Sequence, residues 1–192
     1  TKARVCVRQC FYSVPARLAG KALSGRLGAS FVEVYDGALV VARHPRLRQR
    51  GDQNLVLDHY LEVLSRKPGA LPGSVALAQA RSSGAFSPAH EAYWAEARRR
   101  LGDGAGTRAL CEVLLLHRRL GPALVEAAIM AALSAGAVDP GVVALEARRA
   151  AEAKVAPVVA IGPAPIGPAL AERPAPGLAG YDELLEGKEV AS

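Results

Sequence analysis

The amino-acid sequence predicts an α+β chain: a small antiparallel β-barrel, then an all-α helical domain, then a flexible Pro/Ala-rich tail. Three observations carry this expectation. The first third alternates apolar and polar residues at period two between Gly and Pro breaks. The middle of the chain shifts to helical spacing, with three helix starts marked by Pro. Residues 154–176 are mostly Pro, Ala and Gly and lack the side chains that build a core. The expected boundaries are a barrel over 1–54, a helical domain over 55–153, a linker over 154–176 and a short docking motif over 177–192.

Taken in order, residues 4–12 set Val5, Val7 and Phe11 against Arg4, Arg8 and Tyr12 and read as one first strand. Ser13-Val14-Pro15 is a corner, and a short strand weakened by Gly25 covers Lys21 to Leu27. Phe31 to Tyr35 is a half-buried strand, Asp36-Gly37 supplies a tight turn, and Ala38 to Ala42 returns as an apolar β run. That strand leads into Arg43-His44-Pro45-Arg46-Leu47-Arg48-Gln49-Arg50, a basic segment that Pro45 is expected to lift out of the sheet.

Leu55 to Ser65 turns helical, with Leu55, Tyr60, Leu61 and Leu64 on one face, and Arg66-Lys67-Pro68-Gly69 ends it. Ser87-Pro88 starts a helix reaching Leu101, Gly102-Asp103-Gly104 breaks it, and Thr107 to Leu120 forms the next. Gly121-Pro122 and Asp139-Pro140 open two more, to Ala135 and to about Ala153. Helices with such short breaks pack antiparallel, and the abundant Ala implies close approach of their axes.

Charge is unevenly placed. The net charge is +6, but residues 1–67 hold 12 Lys/Arg against 5 Asp/Glu, while residues 68–192 hold 12 against 13. A basic excess confined to the sheet-forming third is the footprint of a module that binds a polyanion. The five basic or titratable side chains of Arg43, His44, Arg46, Arg48 and Arg50 form a comb suited to phosphates.

The three cysteines do not suggest a disulfide framework. In a single strand Cys6 and Cys10 would lie ~13 Å apart, beyond the ~7 Å that a bridge spans, and Cys111 falls in a helical apolar pattern. With no CxxC pair and no leader sequence, the chain reads as reduced and cytoplasmic. The longest uncharged run, Val155 to Ala171, is broken by Pro157, Pro163, Pro165 and Pro168 and cannot cross a membrane as a helix.

Sites of chemistry are not evident. His44, His59, His90 and His117 show no metal-ligand spacing, and His90 and His117 read as ordinary surface positions. No nucleophile elbow or phosphate loop occurs, and Glu91, Glu96, Glu112, Glu126 and Glu146 fit solvated helix faces. The chain is expected to hold no active site of its own. At its end, Leu178, Tyr181, Leu184 and Leu185 take helical spacing beside Asp182 and Glu183, the pattern of a short helix that docks into a partner's groove.

Phe11-Tyr12-Ser13-Val14-Pro15-Ala16-Arg17-Leu18 with Gly20, Val32-Glu33-Val34-Tyr35-Asp36-Gly37 and Val41-Ala42-Arg43-His44-Pro45-Arg46 resemble the C-terminal barrel of IstA-type DDE transposases. Those come from two-gene bacterial insertion sequences whose second gene encodes an AAA+ ATPase helper. Arg66-Lys67-Pro68-Gly69-Ala70, the helix of Trp94, the Leu110 to Leu120 helix and Tyr181-Asp182-Glu183-Leu184-Leu185 resemble the rest of that C-terminal region.

The resemblance implies a Mu-transposase C-terminal-like barrel that begins just after a catalytic domain. That upstream domain would hold the metal-binding carboxylates and their divalent metal, expected to be Mg, so no cofactor is expected in this chain. It implies bacterial, nucleoid-associated work in DNA transposition. Arg17, Lys21, Arg43, His44, Arg46, Arg48 and Arg50 would grip the backbone of transposon-end DNA. The helical part and Leu178, Tyr181, Asp182, Leu184 and Leu185 would meet the AAA+ helper or another transposase protomer. Two other readings fit the same residues: a stand-alone interaction adaptor without DNA binding, and an enzyme whose site assembles only in an oligomer.

Overall fold

The first strand of the expected barrel is a hairpin. In the computed structural model, which describes residues 3–155, strand β1 (Arg4–Val7) turns back at Arg8-Gln9 into β2 (Cys10–Ser13), pairing Val7 with Cys10. Both turn residues take positive φ, 51° for Arg8 and 64° for Gln9, as a two-residue hairpin loop demands. The fold-back overturns the distance argument for Cys6 and Cys10, which are not extended along one strand. They remain free thiols, Cys6 exposed and Cys10 buried.

A 3-10 turn at Ala16–Leu18 precedes β3 (Ser24–Leu27), β4 (Phe31–Asp36) and β5 (Leu39–Pro45). The β4–β5 hairpin turns at Gly37-Ala38, one residue later than expected, because Asp36 still pairs with Leu39, and the register shifts between Val34 and Tyr35. Pro45 does not lift the chain out of the sheet. It is the last residue of β5, opposite Phe31, and the Arg46 amide still donates to the Ser30 carbonyl at 2.8 Å. A terminal strand position suits a residue with no N–H to offer.

A two-residue strand, β6 (Gln53–Asn54), runs parallel to β2. The strands therefore form two three-stranded sheets, ordered β1-β2-β6 and β3-β4-β5, where the sequence suggests a single antiparallel barrel. Two small cores fill the space around them. Ala3, Val14, Val34 and Ala42 make one, and Cys10, Tyr12 and Val32 the other, with Leu27 and Leu47 packed against it.

The remainder is helical. A 3-10 turn at Leu57–Tyr60 leads into α1 (Leu61–Arg66), so the expected helix is shorter than its apolar pattern suggests. Helix α2 (Val75–Ser82) is capped by Ser74, whose side chain accepts from the Leu77 amide. Helices α3 (Pro88–Leu101), α4 (Asp103–Leu120), α5 (Pro122–Ser134) and α6 (Pro140–Val155) follow. All three Pro-marked starts stand where the sequence places them.

The expected break at Gly102-Asp103-Gly104 shrinks to Gly102, and α4 begins four residues earlier than Thr107. Gly102 and Gly121 adopt nearly the same conformation, φ 82° with ψ 164° and φ 81° with ψ 158°, so each joins two helices through one residue that tolerates positive φ. Two antiparallel helices meet closely because Gly106 of α4 lies on the backbone of Ala97 in α3. Buried Trp94 anchors the same pair, and buried Tyr93 ties α3 to the segment between α5 and α6. Tyr93 donates its hydroxyl to the Val138 carbonyl at 2.7 Å, and Trp94 Nε1 donates to Thr107 Oγ1 at 2.9 Å.

Hydrogen bonds cross from the strands to the helices. Tyr60 donates to the Ala3 carbonyl at 3.2 Å. The Gln79 side chain accepts from the Leu55 amide and donates to the Gln53 carbonyl, both at 2.7 Å, standing in for a neighbouring strand beside β6. The expected linker and the docking residues Leu178, Tyr181, Asp182, Leu184 and Leu185 lie outside the described residues. No helix among the described residues is long and apolar enough to cross a membrane.

Candidate nucleic-acid interface

The segment after β5 carries Arg46, Arg48 and Arg50, and the β1–β2 hairpin holds it in place. Tyr12, buried within the sheet, accepts from the Leu47 amide through its hydroxyl at 2.9 Å. Cys10 Sγ donates to the Gln49 carbonyl at 3.0 Å, the Gly51 amide to the Gln9 carbonyl at 2.9 Å and the Phe11 amide to the Asp52 carbonyl at 2.8 Å. Arg46 Nη1 donates to the Gly28 carbonyl at 3.1 Å, which fixes its side chain and leaves its other N–H groups available. A loop tied at this many points presents its charges in a set arrangement.

A cleft of about 460 Å³ opens between these elements, and Arg8, Arg46 and Arg48 line it together with Val7, Leu27, Ala29 and Leu47. No carboxylate lines it. Arg8, Arg46, Arg48 and Arg50 form no ion pair among the described residues. Arg8 is absent from the sequence-based set because it joins the others only when residues 4–12 fold back. The signal for that fold-back is weak, since neither Arg8 nor Gln9 belongs to the residue types that favour two-residue turns.

The other expected contacts divide. Arg17 is exposed on the 3-10 turn. Lys21 Nζ pairs with Asp36 Oδ2 at 3.0 Å, and Arg43 lies 3.9 Å over the Phe31 ring with its Nε 3.6 Å from Glu33 Oε1. Glu33 faces Arg26 across β3 and Arg43 across β5, and Tyr35 donates to it at 2.8 Å. Lys21 and Arg43 thus hold surface carboxylates before any ligand arrives, and exposed pairs of this kind cost little to rearrange.

His44 does not join the comb. It is buried, its Nε2–H donates to the Ser13 carbonyl at 2.7 Å, and its Nδ1 stands 2.7 Å from Asn54 Oδ1. The reason is strand alternation: Ala42 and His44 face inward while Arg43 faces out. Next to it, the Val56 amide donates to Ser13 Oγ at 2.8 Å, which directs the hydroxyl proton to His59 Nδ1 at 2.8 Å. Burial, with His44 nearby, lowers His59 from 6.5 to about 4. Ser13 is fully buried, so this Ser–His contact ties β2 to the helical segment and offers no nucleophile to a substrate.

His90 and His117 also leave the surface positions expected of them. His90 is buried, and its Nε2 lies 3.1 Å from His117 Nε2. No group of three His, Cys, Asp or Glu among the described residues could hold a metal ion.

The family described as Mu transposase, C-terminal domain, matches residues 1–55. The transposase for insertion sequences IS1326/IS1353 of Pseudomonas aeruginosa is 38% identical over 73 residues, 35% of this chain and 14% of that protein. The protein of the same name from Shigella flexneri matches with the same identity and coverage. The alignment thus spans 14% of the length of the curated relatives. No solved structure matches. Residue pattern, matched domain and relatives agree in likening this chain to the C-terminal region of insertion-sequence transposases, and the family model carries that likeness over residues 1–55.

Proposed function

We propose that this chain acts in DNA transposition as a non-catalytic part of a transposase, gripping the phosphate backbone near the transposon end. The observation that carries this reading is that Arg46, Arg48 and Arg50, on a loop tied to the β1–β2 hairpin, form no ion pair among the described residues. Guanidinium groups in fixed positions neutralise phosphates and release counterions without reading bases. Arg17 extends the basic surface, and Lys21 and Arg43 join once phosphate replaces their exposed carboxylate partners.

The test is a fluorescence titration of the chain with duplex DNA over a range of salt. Replacing Arg46, Arg48 and Arg50 together by Ala weakens binding alike on unrelated sequences. It also reduces the salt slope by roughly 0.9 per lost contact. An unchanged slope removes this loop from the DNA surface and favours the adaptor reading.

The segment holding Leu178, Tyr181, Asp182, Leu184 and Leu185 is the part of this proposal that engages the AAA+ helper or a second protomer. Its support is the apolar spacing rimmed by acids at the end of a Pro/Ala run. Deletion after Pro176 or Tyr181→Ala should abolish capture of the helper while leaving the melting curve unchanged. Undiminished capture would show that the segment has no such part.

A further inference from the structure

We infer that the cleft between the β1–β2 turn and the post-β5 loop receives an unpaired nucleotide at a DNA strand end, with its phosphate on Arg8, Arg46 and Arg48. This inference rests on the DNA-binding reading above and assigns that site a more specific ligand. Three observations carry it.

The first is shape. A duplex offers its phosphates on a broad convex surface, which a comb of exposed arginines meets without any cavity. Here the arginines line a recess of about 460 Å³, within the ~300–1,000 Å³ range of sites that enclose a small molecule. A lone backbone phosphate occupies a small part of that volume, whereas a whole nucleotide fits within it.

The second is chemistry. The lining combines Arg8, Arg46 and Arg48, with no carboxylate, and the apolar Val7, Leu27, Ala29 and Leu47. Cationic and apolar groups together match the phosphate and the base of a nucleotide. Guanidinium planes serve as stacking partners for an unpaired base, and stacking tolerates any base.

The third is the backbone at Arg8. A long cationic residue occupies the first position of a two-residue turn at φ 51°, where Gly, Asn or Asp would sit without strain. Its side chain faces a cleft already holding two other arginines, so both backbone strain and charge repulsion oppose it in the free protein. A bound phosphate removes the second of these costs. Strain held at such a point is the mark of a side chain kept for a ligand.

The experiment compares the full chain's affinity for a blunt duplex and for the same duplex bearing a three-thymidine single-stranded tail, at one salt concentration. The tailed probe should bind about five- to tenfold tighter, the size of one stacked base. Arg8→Gly removes the guanidinium where glycine is the least strained residue, so the fold is kept and the melting temperature holds or rises. It should abolish the advantage of the tail while lowering blunt-duplex affinity only slightly. Deoxythymidine monophosphate in excess should erase the same advantage and, because Arg46 and Arg48 also serve the backbone, weaken blunt-duplex binding less than tailed binding.

Equal affinity for both probes overturns the inference while leaving the backbone reading intact, as does an equal loss on both in Arg8→Gly. Competition by the free nucleotide without any tail preference also overturns it, showing a free-nucleotide site instead. Failure to bind either probe sinks the DNA reading itself.

Discussion

The Nε2 atoms of His90, on α3, and His117, on α4, lie 3.1 Å apart, and the proton between them belongs to His90. The Ser87 amide donates to His90 Nδ1 at 3.0 Å, so that nitrogen accepts and Nε2 carries the hydrogen. His117 Nε2 accepts in turn, and both rings are neutral. Burial lowers His90 from 6.5 to about 4, the neighbouring His117 adding to the shift, and lowers His117 as well, against the opposing pull of Glu126 and Asp58. A shared metal is a poor alternative, because a metal on His90 Nε2 would put a proton on Nδ1, facing the Ser87 N–H.

Stability should therefore fall with acid. Between pH 6.5 and about 4 the unfolded chain holds protons on these histidines that the folded chain refuses, so stability rises with pH through that window and is flat above it. His90 alone accounts for on the order of 3 kcal/mol at the acid end, and His59 acts in the same direction. Urea midpoints from pH 7.5 to 4.5 measure this. His90→Gln keeps an acceptor at the third helical position for the Ser87 amide and does not titrate, so its midpoint should depend less on pH.

Two glycines of α4 should respond oppositely to the same change. A methyl at Gly106 would lie 2.5 Å from the Arg98 nitrogen and 2.6 Å from the Ala97 carbonyl carbon, both backbone atoms that cannot swing aside. Gly106→Ala should lower stability by about 1–3 kcal/mol or more. At Gly104 the nearest atom is Pro68 Cγ at 3.9 Å, and Gly104→Ala should raise stability by roughly 0.5 kcal/mol through helix propensity. Paired thermal melts decide both.

Gln9→Gly should also stabilise. Gln9 holds φ 64° in the hairpin turn, and glycine reaches that conformation without the Cβ clash. A gain of about 0.5–1 kcal/mol in chemical denaturation is expected. A loss would mean that the Gln9 side chain has a structural task of its own.

Arg118 fastens the end of α4 to the segment that follows the sheets. Its guanidinium donates to Asp58 Oδ1 at 2.7 Å, to Glu62 Oε1 at 2.6 Å and to the Asp58 carbonyl at 2.8 Å, and its hydrogen bond holds the Glu62 carboxyl below the usual range. Lysine cannot reproduce three directed bonds from one planar group. Arg118→Lys should cost about 1 kcal/mol in urea denaturation, less at high salt.

The parts of the fold that were legible from residue order are those marked by local chemistry. Gly37 marks the β4–β5 turn to within one residue because it takes positive φ freely, and Pro88, Pro122 and Pro140 mark three helix starts because they fix φ. The Arg8-Gln9 turn was hidden because its shape is imposed by the pairing of β1 with β2 and by the Gly51–Gln9 bond. Strand β6 was hidden because two residues carry no periodicity. Arg46 and Arg48 were visible as charge, whereas Arg8 enters the cleft only through the unseen hairpin. The burial of His44 was readable in the alternation with Ala42, but its place among arginines masked it.

The Gln79 amide spans the point at which the matched domain stops. Because it satisfies both Gln53 and Leu55, and because Tyr60 reaches back to Ala3, the strand module borrows part of its edge from helical residues beyond position 55. Grafting residues 1–55 onto one of the transposases it resembles would leave these backbone groups orphaned unless the host supplies an equivalent amide and phenol. Exchange between such proteins is thus confined to cuts that carry Tyr60 and Gln79 along.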